Sequence, residues 1–296
     1  MDSASAPACD FADLGPATLP RSASYRLRSA AIGQDFQLQV SWPAGRLAEG
    51  QRLPVVYVLD GNHSFAMAAQ AARMLQAGPF PMPPTLVVGI GYHFDRPEDQ
   101  AQWGMLRVRD FTPCGDAVFD EQYPGAAVQP GGAEAFLDFI QGEVTPFLAS
   151  RAPLDVTDQT VVGASLGGLF ALYAMLRRPD AFQRVVAVSP AIYWGGRTLF
   201  ELEASLGARV QDLSVKLYLS AGSLEEAHDP RLGLVSNLYG LEGRLRARAY
   251  PGLDMALQVF EGENHMSVFP GAVTRGLGHV FGGYPDMHDW SRALRR

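Results

Sequence analysis

The sequence predicts an α/β fold: one mostly parallel central sheet with helices on both faces and an antiparallel pair at its N-terminal edge. Two observations carry this. Short, continuous apolar runs, of the kind found in strands buried on both faces, alternate along the chain with segments of helical period. At 296 residues, 47% hydrophobic and 19% charged, the chain has a globular composition, and its size allows a single core hiding roughly 75% of the unfolded surface without disulfide or metal staples.

The elements follow in order. Residues 1–23 are rich in Ala, Ser and Pro and read as a loose arm. From Ser24 to Val40 two β-prone runs flank Ile32-Gly33-Gln34, an antiparallel pair. Leu53 to Leu59 is a buried strand, broken by Asp60-Gly61-Asn62, and Ser64 to Gln76 has helical spacing. Thr85 to Ile90 is a second buried strand. Residues 92–131 show no periodicity and read as a long loop, a covering or lid held by Trp103, Phe111 and Tyr123. Ala133 to Leu148 reads as a helix, Thr160 to Val162 as a strand, and Leu166 to Arg177 as a helix closed by Pro179. Val185–Val188 and Val215–Leu219 are strands, Arg231–Ala247 an amphipathic helix, Ala256–Phe260 the last strand and Ser267–Phe281 the last helix. One domain spans 24–283, and 284–296 is a tail.

Composition removes several functions. A formal net charge of −7 leaves no electrostatic footprint for nucleic acid or an anionic membrane. The basic residues are 23 Arg and one Lys, Lys216, which sits inside a strand run, so neither a phosphate loop nor a Schiff-base lysine fits. Cys9 and Cys114 match no metal or redox spacing and read as reduced thiols of a cytoplasmic protein. The first residues lack the basic and apolar regions of a secretory leader. The uncharged stretches 74–94 and 159–176 are interrupted by Pro and Gly and predict no membrane span. No metal or organic cofactor is implied.

The chemistry centres on Gly163-Ala164-Ser165-Leu166-Gly167-Gly168, between a strand and a helix. This Gly-x-Ser-x-Gly pattern is a nucleophile elbow: a strained turn thrusts the Ser165 hydroxyl out of the sheet, and the flanking residues are small because strand and helix backbones nearly touch. No Gly-x-Gly-x-x-Gly is present to support dinucleotide binding. An elbow serine needs a base and an orienting acid, in the chain order Ser, acid, His. His265 follows the last strand and is the candidate base; His279 falls in the last helix and His288 in the tail, while His63 and His93 precede the serine. The loop after Ser220 offers Glu225, Glu226 and Asp229 as acids, with His228 among them, and spacing does not choose between the three. Arg107 and Arg109, in the long loop, are candidates to bind an anionic or catecholate substrate, and Trp194 to form an aromatic wall.

Four segments together resemble the putative-esterase branch of the α/β-hydrolases: Tyr57-Val58-Leu59-Asp60-Gly61-Asn62, the elbow, Ser189-Pro190-Ala191-Ile192-Tyr193-Trp194, and Gly262-Glu263-Asn264-His265. Arg107-Val108-Arg109-Asp110-Phe111-Thr112-Pro113 is most similar to the ferric-siderophore esterase subgroup. The resemblance covers roughly residues 25–283. It implies the α/β-hydrolase fold, a small-molecule ester as substrate, Ser165 as nucleophile and His265 as base. Its Gly-x-Leu-Glu pattern implies Glu225 as the acid, although some siderophore esterases work with a Ser–His pair. It also implies the backbone amides of Leu166 and Asn62 as oxyanion donors. Met266 follows His265 where the subgroup often has Gly, a departure that alters the pocket and no catalytic group. Acyltransferase or thioesterase chemistry on the same Ser–His machinery is the alternative expectation.

Overall fold

The computed structural model describes residues 18–77 and 82–282. Eight strands form one sheet in the order β1-β2-β4-β3-β5-β6-β7-β8. The edge pair is β1 (Ser22–Arg28) and β2 (Asp35–Ser41), antiparallel to each other, and β2 is antiparallel to β4 (Leu86–Tyr92). β3 (Leu53–Val58), β5 (Leu154–Ala164), β6 (Arg184–Val188), β7 (Lys216–Gly222) and β8 (Asp254–Phe260) are parallel to their neighbours. The apolar strand runs bury side chains on both faces. Val55, Tyr57 and Leu59 pack on one side with Leu169 and Phe170, while Val56 and Val58 pack on the other with Phe65, Ala68 and Val273.

Helices α1 (Gly61–Ala77) and α10 (Val268–Val280) cover one face. The other carries α6 (Leu166–Arg177), with α2 (Trp103–Phe111), α4 (Ala133–Phe139), α7 (Trp194–Gly207) and α9 (Leu234–Arg248) packed around it. Shorter pieces are α3 (Ala117–Gln122), α5 (Thr145–Ala149) and α8 (Glu225–His228).

Four expectations change. The long loop at 92–131 is largely helical: a 3-10 turn at Pro97–Gln102 leads into α2, and α3 follows. These helices are short, so few apolar turns accumulate, and α3 starts from a side-chain cap in which Asp116 accepts from the Phe119 amide at 3.0 Å. Helix α7 has no counterpart in the sequence pattern, because its first turn runs through Gly195, Gly196 and Arg197 at positive φ and hides the period. The helix expected at 133–148 is α4 and α5 joined by a π-helical turn, Ile140–Val144, where the Thr145 hydroxyl donates to the Ile140 carbonyl at 2.9 Å. β1 begins at Ser22, inside the stretch 1–23 expected as an arm; residues 1–17, and 284–296 expected as a tail with His288, lie outside the described residues.

The connectivity positions the site. From β3 the chain runs outward to β4 on one side and β5 lies on the other, so the order reverses across β3 and β5, where open α/β sheets form a crevice at the strand carboxyl ends. The register lines up those ends: Val58 lies opposite Val162, Ala164 opposite Val188, Val188 opposite Ser220 and Gly222 opposite Phe260. The loops carrying Asn62, Ser165, Ser189, Glu225 and His265 therefore emerge along one edge.

Candidate active site

Ser165 is the residue between β5 and α6, held at φ +56°. That is an uncommon region for a residue with a Cβ, and it needs support from the surroundings. The Ser165 amide donates to the Val188 carbonyl at 3.0 Å, and its carbonyl accepts from Leu169 and Ala191 at 2.9 and 3.1 Å. The flanking glycines have no alternative: a Cβ on Gly163 would lie 2.2 Å from the Gly167 carbonyl oxygen, and one on Gly168 would lie 3.0 Å from the Pro190 Cα.

The candidate acid and the candidate base meet. Glu225 Oε2 lies 2.7 Å from His265 Nδ1. Its other oxygen, Oε1, accepts from the Ser189 hydroxyl at 2.6 Å and from the Gly222 amide at 2.6 Å. The Glu225 side chain has no exposed surface, whereas the His265 side chain is 39% exposed. Burial alone would raise the Glu225 carboxyl, but the bonds from His265, Ser189 and Gly222 outweigh it and hold the group below its ordinary value. Glu225 thus stays ionised beside the imidazole. The two loops are laced together, with the Ser223 amide donating to the Phe260 carbonyl at 2.9 Å and the Leu224 amide to the Glu263 carbonyl at 3.1 Å. A Cβ on Gly222 would meet the Glu263 carbonyl oxygen at 2.3 Å. Asn264 steadies the far side of the His265 loop, its Oδ1 accepting from the Met266 and Ser267 amides at 2.9 and 3.0 Å.

The other two acids are used elsewhere. Glu226 accepts from the Ser236 amide at 2.6 Å, and Asp229 pairs with Arg231 at 2.8 Å. The geometry therefore joins Glu225, rather than either neighbour, to His265.

Leu166 and Asn62 lie in the first turns of α6 and α1, where amides have no intrahelical acceptor. The Asn62 side chain pins its loop to β4: Oδ1 accepts from the Tyr92 amide at 2.8 Å, and Nδ2 donates to the Tyr92 carbonyl at 2.9 Å.

The structure places Arg107 and Arg109 differently from the sequence expectation. Arg107 makes a two-pronged pair with Asp60, at 2.9 and 2.8 Å, and its side chain is 13% exposed. It lies over the Trp103 ring, 4.8 Å from the centroid, and His63 packs edge-on to that ring. Arg109 grips buried Asp110 at 2.7 and 2.9 Å, and Tyr92 donates to the same carboxylate. Neither guanidinium lines either cavity at the site. The signal for this is present in the sequence as the acids Asp60 and Asp110, but pairing across 47 residues has no local signature.

Two adjoining cavities open at the edge. One, of about 630 Å³, is lined by Ser165, Glu225 and His265, and also by His228 and Met266. The other, of about 780 Å³, lies beneath α2 and α3 and is lined by Trp194, Phe119 and Asp116. Tyr193, Asp229 and Leu232 belong to both walls. Trp194 is nearly buried, its Nε1 donating to the Cys114 carbonyl at 2.8 Å, and it still lines the larger cavity. His93 sits beside Asp95 at 3.3 Å and His279 lies 3.7 Å from Asp254. Asp116 carries no signal of a role in the sequence alone, and Ser189, Asp60 and Tyr193 stand out there only as members of the segments that carry the family resemblance. Among the described residues no group of acidic, His and Cys side chains is arranged to hold a metal, and no helix is long and apolar enough to cross a membrane.

Known proteins share this sequence pattern and fold. The family described as "Putative esterase" matches residues 29–280. The ferri-bacillibactin esterase of Bacillus subtilis is 34% identical over 230 residues, covering 76% of this chain and 77% of that protein. The siderophore triacetylfusarinine C esterase of Aspergillus fumigatus is 31% identical over 295 residues, covering 91% and 96%. Among solved structures, the BES protein of Bacillus cereus superposes with a TM-score of 0.78 at 28% identity, over 94% of this chain and 100% of that one. The siderophore hydrolase EstA of Aspergillus nidulans gives 0.78 at 25% identity, over 91% and 97%. The fold is that of the α/β-hydrolases, and this chain, an enzyme acting on ester bonds, belongs to the Putative esterase family.

Proposed function

We propose that the protein is a serine hydrolase that cleaves siderophore-type esters or lactones through an acyl-enzyme. The observation that carries the mechanism is the 2.7 Å contact between Glu225 and His265 in the cavity that Ser165 lines. The siderophore substrate class is carried over from the names of the two related esterases.

In this reading Ser165 Oγ attacks the ester carbonyl carbon and passes its proton to His265 Nε2. The carbonyl oxygen takes the negative charge and is held by the Leu166 and Asn62 amides. Glu225 keeps the proton of His265 on Nδ1 and stabilises the imidazolium. Collapse of the tetrahedral adduct breaks the bond to the alcohol, which leaves with the proton from His265. Water then adds to the acyl-Ser165 ester, gives its proton to His265, and the free acid departs as Ser165 recovers its hydrogen. Trp194 and Tyr193 form the aromatic wall of the substrate cleft, and Arg107 and Arg109 act by holding the loops that frame it. A cytoplasmic location rests on the two cysteines, which fit no pairing pattern.

The test is labelling by a fluorophosphonate together with turnover of p-nitrophenyl esters and of iron-chelated siderophore esters. Label on Ser165 alone, and loss of about 10⁶-fold in kcat in Ser165→Ala, are expected. Label on another residue, or more than a tenth of the activity left in Ser165→Ala, would overturn the mechanism.

A further inference from the structure

The walls of the two cavities differ in charge from what a polyanionic ligand requires. Their carboxylate, imidazole and guanidinium residues are Glu225, His228, Asp229, His265, Asp116 and Arg231. Arg231 is their one arginine, and its charge is matched by Asp229 at 2.8 Å. Asp116 is buried, and its carboxylate is satisfied by amides rather than by a cation: Phe119 donates at 3.0 Å and Gly195 at 2.9 Å. Setting the two histidines aside, the three carboxylates outnumber the single arginine in the cleft by two. Arg107 and Arg109, on α2, are consumed by Asp60 and Asp110, and Arg197, next to the lining residue Gly196, belongs to neither wall. The chain as a whole, at −7, adds no long-range attraction for an anion.

The rim is apolar. Among the described residues seven large hydrophobic side chains are exposed, and four of them line these cavities: Met266 at 80%, Val118 at 55%, Leu224 at 48% and Tyr123 at 47%. Apolar groups gathered at the mouth of a cleft mark a surface that a ligand covers.

We infer that this cleft selects uncharged, largely apolar esters and disfavours esters that carry negative charge near the scissile bond. The inference rests on the esterase reading above and names the substrate class within it. An anion entering the cleft gives up hydration and meets no unpaired cation on the described walls, while Glu225 and Asp116 lie buried just behind them. An apolar acyl group gains contact with Met266, Leu224 and the Tyr193–Trp194 wall instead. Among iron chelates, charge counting gives a tris-hydroxamate no net charge and a tris-catecholate three negative charges, so the rule favours the former.

The experiment uses the full chain and three p-nitrophenyl esters whose acyl chains have equal length and end in methyl, trimethylammonium or carboxylate. At low ionic strength, kcat/KM for the carboxylate ester is expected at least about tenfold below that for either other ester, with the gap narrowing in about 0.5 M salt. Asp229→Asn, which leaves Arg231 without its counter-charge, is expected to raise the ratio of carboxylate to trimethylammonium turnover. A carboxylate ester hydrolysed as fast as the trimethylammonium ester would overturn the inference. So would a gap that neither salt nor Asp229→Asn changes. Failure to turn over any of the three esters, with no fluorophosphonate label, would instead sink the hydrolase reading itself.

Discussion

Arg107 holds Asp60 through two parallel hydrogen bonds, 2.9 and 2.8 Å long, and both side chains are almost fully covered. Asp60 sits at φ +53° between β3 and the helix that presents the Asn62 amide. The same guanidinium reaches toward the Ala164 carbonyl, 3.4 Å away, one residue before Ser165. One arginine on α2 thereby ties together the two loops that carry Asn62 and Ser165, and with them the proposed oxyanion donors. Burial alone would lower the Arg107 guanidinium, and the neighbouring Asp60 more than offsets it.

Arg107→Ala is therefore expected to act through position. It leaves Asp60 buried without its partner, which destabilises by about 3–5 kcal/mol, and it lowers kcat for a small neutral ester by tenfold or more, roughly what misplacing a reacting group costs. Arg107→Lys keeps the charge but loses the fork and is expected to fall between. Thermal melts and kcat on neutral and carboxylate-bearing esters check this. An effect confined to KM for the anionic ester would return Arg107 to direct substrate binding.

Glu225 has three hydrogen-bond donors around one carboxylate, and they do not count equally. Glu225→Gln is expected to lower kcat by roughly 10²–10⁴-fold, because His265 loses both its fixed tautomer and its charge partner. Ser189→Ala removes a supporting bond only and is expected to cost about tenfold in kcat, in line with one hydrogen bond to a charged group. Glu226→Gln is expected to stay within about threefold of the parent. Steady-state kinetics on one p-nitrophenyl ester ranks the three, and a near-parental Glu225→Gln would reduce the machinery to a Ser–His pair.

The legible parts of this protein are those with a local signature. The apolar run at Leu53–Leu59 and the glycines around Ser165 each announce themselves within a few residues, because burial on both faces and backbone contact act locally. From spacing alone the candidate acid is legible only as a loop, and the family resemblance is what points to Glu225. Glu225, Glu226 and Asp229 are chemically alike, and what separates them is the Gly222 turn and the lacing of the loop to Phe260 and Glu263, which are tertiary facts. The pairing of Arg107 is hidden for the same reason, since Arg107 and Asp60 are far apart in the chain, whereas Arg109 meets its own neighbour Asp110. Helices α2, α3 and α7 escape because their periods are short or interrupted, and their packing over the sheet compensates for weak local preference.

Two glycine substitutions should move stability in opposite directions. Gly163→Ala puts a Cβ 2.2 Å from the Gly167 carbonyl oxygen, so β5 and α6 must separate, and the elbow goes with them. Activity and melting temperature are both expected to drop, with destabilisation of about 1–3 kcal/mol as for overpacking in a filled core. Gly243 lies on the exposed face of α9, and a Cβ added there would meet no atom within 4 Å. Gly243→Ala is expected to stabilise by about 0.5–1 kcal/mol by restricting the unfolded chain, with kcat unchanged. Urea denaturation of both variants checks the pair, and a neutral Gly163→Ala would show that the elbow backbone yields.

Glu134 gives a pH signature remote from catalysis. It accepts from the Tyr173 hydroxyl at 2.5 Å and from Arg177 at 3.2 Å, and it pairs with Arg178. Partial burial would raise its carboxyl, but these partners outweigh that and lower it to about 2. A folded-state value below the unfolded one means that the ionised group stabilises the fold above the ordinary carboxylate range. That contribution shrinks as pH falls from about 4.5 toward 2. The group is 40% exposed, so solvent screens the effect and its size is modest. Glu134→Gln should therefore be less stable than the parent at neutral pH, and the two should converge in acid. Denaturant melts at pH 7, 5 and 3 and at two salt concentrations read the gap directly. A difference that stays constant across that range would assign Glu134 a packing role rather than an ionic one.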